Sequence, residues 1–186
     1  MSSQQMLLGG GGGQKLYVQD VFSTVVYRGE YNSSMYQTWT KSIDNGIDLA
    51  NKGGLVWIKN RSSNNTEHVL YDTERGVKKY LACSNDHGEV DETNETGADE
   101  GLDHWLSQGG FRLGGGDDKV NKLGDDYVSW TWRKAKGFFD VVKWDGDGNA
   151  SRQISHGLGS VPGMIWIKQV SSSYSWYTYH RKVNST

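Results

Sequence analysis

Few side chains in this 186-residue chain stand at spacings that chemistry needs. The nearest approach to a metal loop is Asp145-Gly146-Asp147-Gly148-Asn149, since closely spaced oxygen ligands are what a hard cation requires. A helix-flanked calcium loop would continue with Gly at position 150 and Glu at position 156. The chain has Ala150 and His156 there, so Asp145, Asp147 and Asn149 are weak metal candidates only, and no cofactor is expected. The stretch reads better as a hairpin turn between strands over 138–144 and 152–155. The histidines, His68, His87, His104, His156 and His180, show no paired metal spacing. No nucleophile–His–acid set is legible, because its members would meet only in the tertiary fold. Acids crowd residues 86–103, among them Asp86, Glu89, Glu92 and Asp103. That run reads as a solvated loop or as a patch for a basic neighbour, and it singles out no carboxylate pair for glycan cleavage. The expectation is a protein that is not an enzyme.

Aromatic residues offer a different chemistry. Tyr174, Trp176, Tyr177 and Tyr179 crowd one expected strand. One core cannot bury aromatics on both sides of a strand. Either a second layer or subunit covers the outer face, or that face stacks on sugar rings; the subunit contact is preferred. Met6-Leu7-Leu8 precedes five glycines, Gly9 to Gly13, and reads as an anchor on a flexible tether that orders on contact. Trp57 and Trp166 sit inside apolar runs and are expected in the core. Cys83 is expected to be a small buried strand residue, and one cysteine excludes an internal disulfide.

The elements that must position these groups are strands. Gly (25), Trp (8) and Tyr (10) are abundant, and the hydrophobic fraction is only 35%, which suits short strands joined by tight turns in a thin sandwich. The clearest alternation is residues 127–133, where Tyr127, Ser129, Thr131 and Arg133 face one way and Val128, Trp130 and Trp132 the other. Further strands are expected over 15–18, 23–27, 37–40, 54–59, 68–72, 78–83, 110–113, 164–169 and 176–180, with a short helical turn near 102–108. The net charge of −2 gives no basic excess for nucleic acid. No apolar run approaches the ~20 residues of a membrane-spanning helix, so no membrane insertion is expected. The first residues, free of basic side chains, do not read as a signal peptide.

The chain resembles itself. Phe22-Ser23-Thr24-Val25-Val26 matches Phe138-Phe139-Asp140-Val141-Val142, and Gly53–Asn60 matches Pro162–Gln169. Between them, Asp44–Leu49 is similar to Ser155–Ser160, and after them Val69–Asp72 is similar to Tyr177–His180. The offset is 116 at the first block (25 to 141), 109 at the second (54 to 163) and 108 at the last (71 to 179). Blocks kept in order at near-constant spacing read as a duplicated module. The organisation expected is an arm over 1–14, a first module over 15–136 and the start of a second over 137–186. The second ends after its fourth block. It is read as truncated or continued elsewhere; the alternatives are that its strands complete the first sandwich or pair with another chain.

The strings Val21-Phe22-Ser23-Thr24, Asn45-Gly46-Ile47-Asp48-Leu49 and Gly53–Arg61 resemble a duplicated domain in tail proteins of marine tailed bacteriophages. Tyr71–Gly76, Gly110–Leu113, Ser129–Lys134 and Ile154–Gly163 are similar to the same family. The resemblance spans roughly 15–181. It implies an all-β, antiparallel, lectin-like jelly-roll sandwich in a virion tail component, a fibre or fibre adaptor. Expected partners are other tail proteins, further copies of the chain as an oligomer (a trimer), and host surface glycans if the module serves attachment. The rival expectation is a carbohydrate-binding module for such glycans. No catalytic residue carries over.

Overall fold

The computed structural model describes residues 6–8, 16–32, 40–93, 100–115 and 117–183. In chain order the strands are β1 (Met6–Leu8), β2 (Leu16–Tyr17), β3 (Phe22–Arg28), β4 (Lys41–Ile43), β5 (Gly54–Asn60), β6 (Val69–Asp72) and β7 (Lys79–Ala82). They continue with β8 (Val90–Asp91), β9 (Leu102–Trp105), β10 (Phe111–Leu113), β11 (Asp126–Arg133), β12 (Met164–Ile167) and β13 (Tyr177–His180). One helical turn, α1 (Leu49–Lys52), precedes β5. Asp48 caps it by accepting from the Asn51 N–H at 3.0 Å, and Gly53 closes it at φ +72°.

The chain is an all-β antiparallel sandwich. Its large sheet has the order β3-β11-β5-β6-β7-β8, and the facing sheet is β4-β10-β9. Val56, Ile58, Val69, Tyr71 and Tyr127 project from the large sheet into one core with Ile43, Leu102, Phe111 and Leu113 of the small sheet. Ile47, Leu49 and Val120 fill the space between them. Each of these aliphatic side chains contributes about 1.5–3 kcal/mol by leaving water.

The alternation over 127–133 holds, and the structure decides which side is inside. Tyr127, Ser129 and Thr131 are buried, whereas Val128, Trp130 and Trp132 lie half-buried on the outer side. The buried hydroxyl of Thr131 accepts from Asn45 Nδ2 at 2.9 Å, which lets a polar residue sit in the core. Trp57 is not a core residue as expected: it shares the outer side with Trp130, 5.3 Å away.

Other expectations need correction. Residues 102–105 form β9, not a helical turn, because their backbone pairs with β10. On the other edge of β10, Gly110 permits the close approach of β4: at φ +110°, a Cβ there would meet the Ile43 carbonyl oxygen at 2.0 Å. Residues 138–144 and 152–155 belong to no ladder, apart from one bridge between Ala135 and Phe139. An extended segment becomes a strand only when a neighbour takes its N–H and C=O groups, so the stretch between them is not a hairpin turn. Residues 37–39 lie outside the described residues.

The two similar hairpins share one register. β5 pairs with β6 as Leu55↔Asp72, Val56↔Tyr71, Trp57↔Leu70 and Ile58↔Val69. β12 pairs with β13 as Met164↔His180, Ile165↔Tyr179, Trp166↔Thr178 and Ile167↔Tyr177. Every pair in the second set stands at the position of its counterpart in the first. Their surroundings differ: β5–β6 lies in the middle of the large sheet, and β12–β13 is a two-stranded sheet of its own.

Candidate functional site

The hairpin β12–β13 presents two faces, because side chains alternate along a strand. Ile165, Ile167, Tyr177 and Tyr179 share one face, with exposures of 38%, 38%, 65% and 38%. Their counterparts in β5–β6, namely Val56, Ile58, Val69 and Tyr71, are all 0% exposed and form the core of the sandwich. The face that meets the second layer in one hairpin therefore meets water in the other. Four large apolar side chains thus lie side by side, partly open to solvent.

The opposite face carries Met164 and Trp166, themselves 49% and 40% exposed, and only Trp166 reaches an aromatic ring of the sandwich. Trp166 stands edge-on to Trp57, with ring centroids 6.3 Å apart at 89°. Trp166 is thus not a core residue as expected; it joins an aromatic seam with Trp57, Trp130 and Trp132. Trp132 in turn packs on Phe22 at 5.3 Å and Phe139 at 6.3 Å. Such offset and edge-to-face pairs contribute about 0.5–1.5 kcal/mol each beyond their buried area. Trp176 adds a polar tie, donating from Nε1 to the Ala82 carbonyl at 3.1 Å.

Of the aromatics singled out in the sequence, Tyr177 and Tyr179 lie on the open face of β13. Tyr174 is exposed ahead of the strand, and Trp176 is half-buried against the sandwich. The backbone of Met6–Leu8 pairs antiparallel with β2, Met6 opposite Tyr17 and Leu8 opposite Leu16. The glycine run that follows it lies outside the described residues.

Beside the seam is an open groove of about 510 Å³, lined by Glu74, Lys134, Lys136, Asp140, Lys143 and His156, among others. Lys134 bridges two carboxylates, Glu74 at 2.8 Å and Asp140 at 3.1 Å. Asp140 also accepts from the backbone N–H of Gly157 at 2.5 Å and of Val141 at 2.9 Å. Burial alone would raise its pKa; the Gly157 N–H and then Lys134 outweigh it and hold the carboxyl below its usual range. Both of these carboxylates in the groove are therefore held by Lys134.

The remaining candidates have structural partners. Asp147 accepts from the Asn149 N–H at 3.0 Å and pairs with Arg152 at 3.4 Å, and Arg152 donates to the Asp145 carbonyl. Among the described residues no three His, Cys, Asp or Glu side chains gather as a metal site. The acidic stretch is not wholly a solvated loop. Asp103 is buried in β9 and takes a two-pronged pair from Arg112, Nε and Nη2 each at 2.9 Å. Glu92 is buried too, with Lys119 3.8 Å away; Lys119 also pairs with buried Asp117 at 3.0 Å and lies over the Tyr80 ring. Burial pushes the Asp117 carboxyl above its usual range, against the pull of Lys119. Cys83 lies in the turn after β7, half-buried, and burial raises its thiol pKa to about 11. Glu95 and Asp99 lie outside the described residues.

Sequence reasoning found the aromatics of β13 and missed the isoleucines of β12 as their companions. The repeat carried that signal: Ile165 and Ile167 match Val56 and Ile58, and β13 ends one residue closer in the repeat count. A family model described as "Domain of unknown function (DUF7483)" matches residues 18–186. No curated protein and no solved structure matches the chain.

Proposed function

We propose that this chain, which belongs to the DUF7483 family, is a non-enzymatic assembly module that builds a virion tail through β-sandwich contacts, as a fibre or fibre adaptor. One observation carries the assembly part: Ile165, Ile167, Tyr177 and Tyr179 form an exposed apolar face whose counterparts in β5–β6 are core. Apolar faces of this kind are covered in working assemblies. The tail itself rests on the sequence resemblance of residues 15–181 to tail proteins of marine tailed phages. In this reading the chain is a virion component that assembles as an oligomer, a trimer, and Met6, Leu7 and Leu8 anchor it to a neighbouring tail protein.

Gold-conjugated antibody against the recombinant chain, applied to the particles whose genome encodes it, should decorate the tail. Decoration of the capsid alone, or of no particle, would refute the tail assignment. A second reading, glycan recognition in host attachment, is favoured by the exposed rings of Tyr174, Tyr177 and Tyr179. A glycan array separates the two. Saturable binding lost in Tyr177→Ala supports the lectin reading, and an array without signal removes it.

A further inference from the structure

We infer that residues 164–180 form a strap over a second apolar cluster on the outer side of the large sheet, and that the strap opens as a unit while the sandwich stays folded. The inference rests neither on the assembly reading nor on the virion assignment.

An antiparallel sheet packed on one layer buries one side of each strand. β6 departs from that pattern: Val69, Leu70, Tyr71 and Asp72 are all buried, so both its sides are covered. Val69 and Tyr71 face the small sheet. Leu70 stands opposite Trp57 on one neighbour and Leu81 on the other, and cross-strand partners share a side. The outer side thus carries a row, Trp57–Leu70–Leu81, whose two leucines are 3% and 6% exposed. Neither leucine belongs to the core cluster between the sheets. What reaches this row is the strap. Trp166 stands edge-on to Trp57 at one end, and Trp176 donates to the Ala82 carbonyl beside Leu81 at the other. Between them the chain runs along the turn from β7 to β8. The Val170 carbonyl accepts from the Glu89 N–H at 2.8 Å, and a Cβ at Gly88 would lie 2.8 Å from that same oxygen.

The strap is held differently from the rest of the fold. β12 and β13 pair with each other and join neither sheet of the sandwich. A two-stranded hairpin is marginal in water by itself. Every side chain of β12 is at least 38% exposed. The Arg181 N–H donates to the Gly163 carbonyl at 3.0 Å and ties the two ends of the strap, so both ends seat or leave together. Elements with few buried contacts open at the low end of the free-energy range, well below global unfolding. Opening bares Trp57, Leu70 and Leu81 and leaves the core between the sheets intact. The strap is therefore a cover that withholds an apolar surface. Cys83 follows Ala82, the point of attachment, and its half-buried thiol is placed to report the opening.

Amide hydrogen exchange of the whole chain, read by residue at low urea concentrations, tests this without any substitution. The ladder amides of 165–167 and 177–179 are expected to exchange about a hundredfold or more faster than those of 56–58 and 69–71, with little dependence on urea, as local openings do. Trp166→Ala should speed exchange in the strap about three- to tenfold, the worth of an edge-to-face pair, and leave 56–58 unchanged. Trp176→Ala should speed labelling of Cys83 by a disulfide reagent about tenfold, with the far-UV spectrum kept. Exchange at 165–167 as slow and as urea-dependent as at 56–58 overturns the inference. So does labelling of Cys83 at the same rate in Trp176→Ala as in the unaltered chain. Neither antibody decoration of tails nor the glycan array bears on these readouts.

Discussion

Ile58 and Ile167 occupy matching positions in two hairpins of identical register, 109 residues apart (58 to 167), and they should differ sharply when each is cut back to Ala. Ile58 is 0% exposed and belongs to the core cluster between the sheets. Ile→Ala removes three carbons, about 2.4 kcal/mol at ~0.8 kcal/mol per buried CH₂. The cavity left in a two-sheet core raises the loss to about 3–4 kcal/mol. In a chain of this length, each kcal/mol lowers Tm by about 2–4 °C, so a fall of about 6–16 °C is expected. Ile167 is 38% exposed and faces water on the open side of β12, so its truncation should cost under about 1 kcal/mol. Urea unfolding followed by far-UV circular dichroism measures both. A loss below about 1.5 kcal/mol for Ile58→Ala would contradict the assignment of the core. Equal losses for the two variants would show that the face of β12 is covered in solution.

Two further outcomes follow from the titrating groups. Asp140 has a folded pKa below its usual value, so it stabilises the attachment of residues 137–157 above the ordinary carboxylate pKa. That contribution fades as pH falls through the lowered value. Carboxyl ¹³C shifts should place the Asp140 midpoint below 3.8, and Lys134→Met should move it upward; an unmoved midpoint would exclude Lys134 as a cause. For Cys83, a thiol raised from 9.0 to about 11 leaves about a hundredfold less thiolate near pH 8 than an exposed cysteine has. Its reaction with a disulfide reagent should be slower by about that factor in the folded chain than in urea, and comparable rates would mean an open thiol.

How much of this was legible in the sequence varies by element. β5, β6, β7 and β11 were read within a residue or two, because each alternates or runs apolar between turn residues. The shared register of the hairpins was implicit in two nearly equal offsets, since pairing follows from turn length and side-chain periodicity. Less visible were β9, taken for a helical turn, and α1, whose local marks are Asp48 ahead of Asn51 and Gly53 at its end. Both are short, and long-range partners decide such segments: the Phe111–Leu113 backbone for β9, the underside of β5 for Leu49.

Taken alone, the amino-acid sequence determined the class of element and its period: which residues share a side of each strand, and which segments resemble one another. Local sterics and the two-residue repeat of an extended chain set those features without reference to distant residues. Only the tertiary structure decided which side is inside. Ser129 and Thr131 face the core while Trp57, Trp130 and Trp132 face out, because β4, β9 and β10 supply the second layer on the hydroxyl side and Phe139 and Trp166 lie against the aromatic side. It likewise decided that Val56, Ile58, Val69 and Tyr71 are core and that Ile165, Ile167, Tyr177 and Tyr179 are surface. The two sets are alike in sequence and register; burial depends on what a third and a fourth strand bring alongside, which no local pattern encodes.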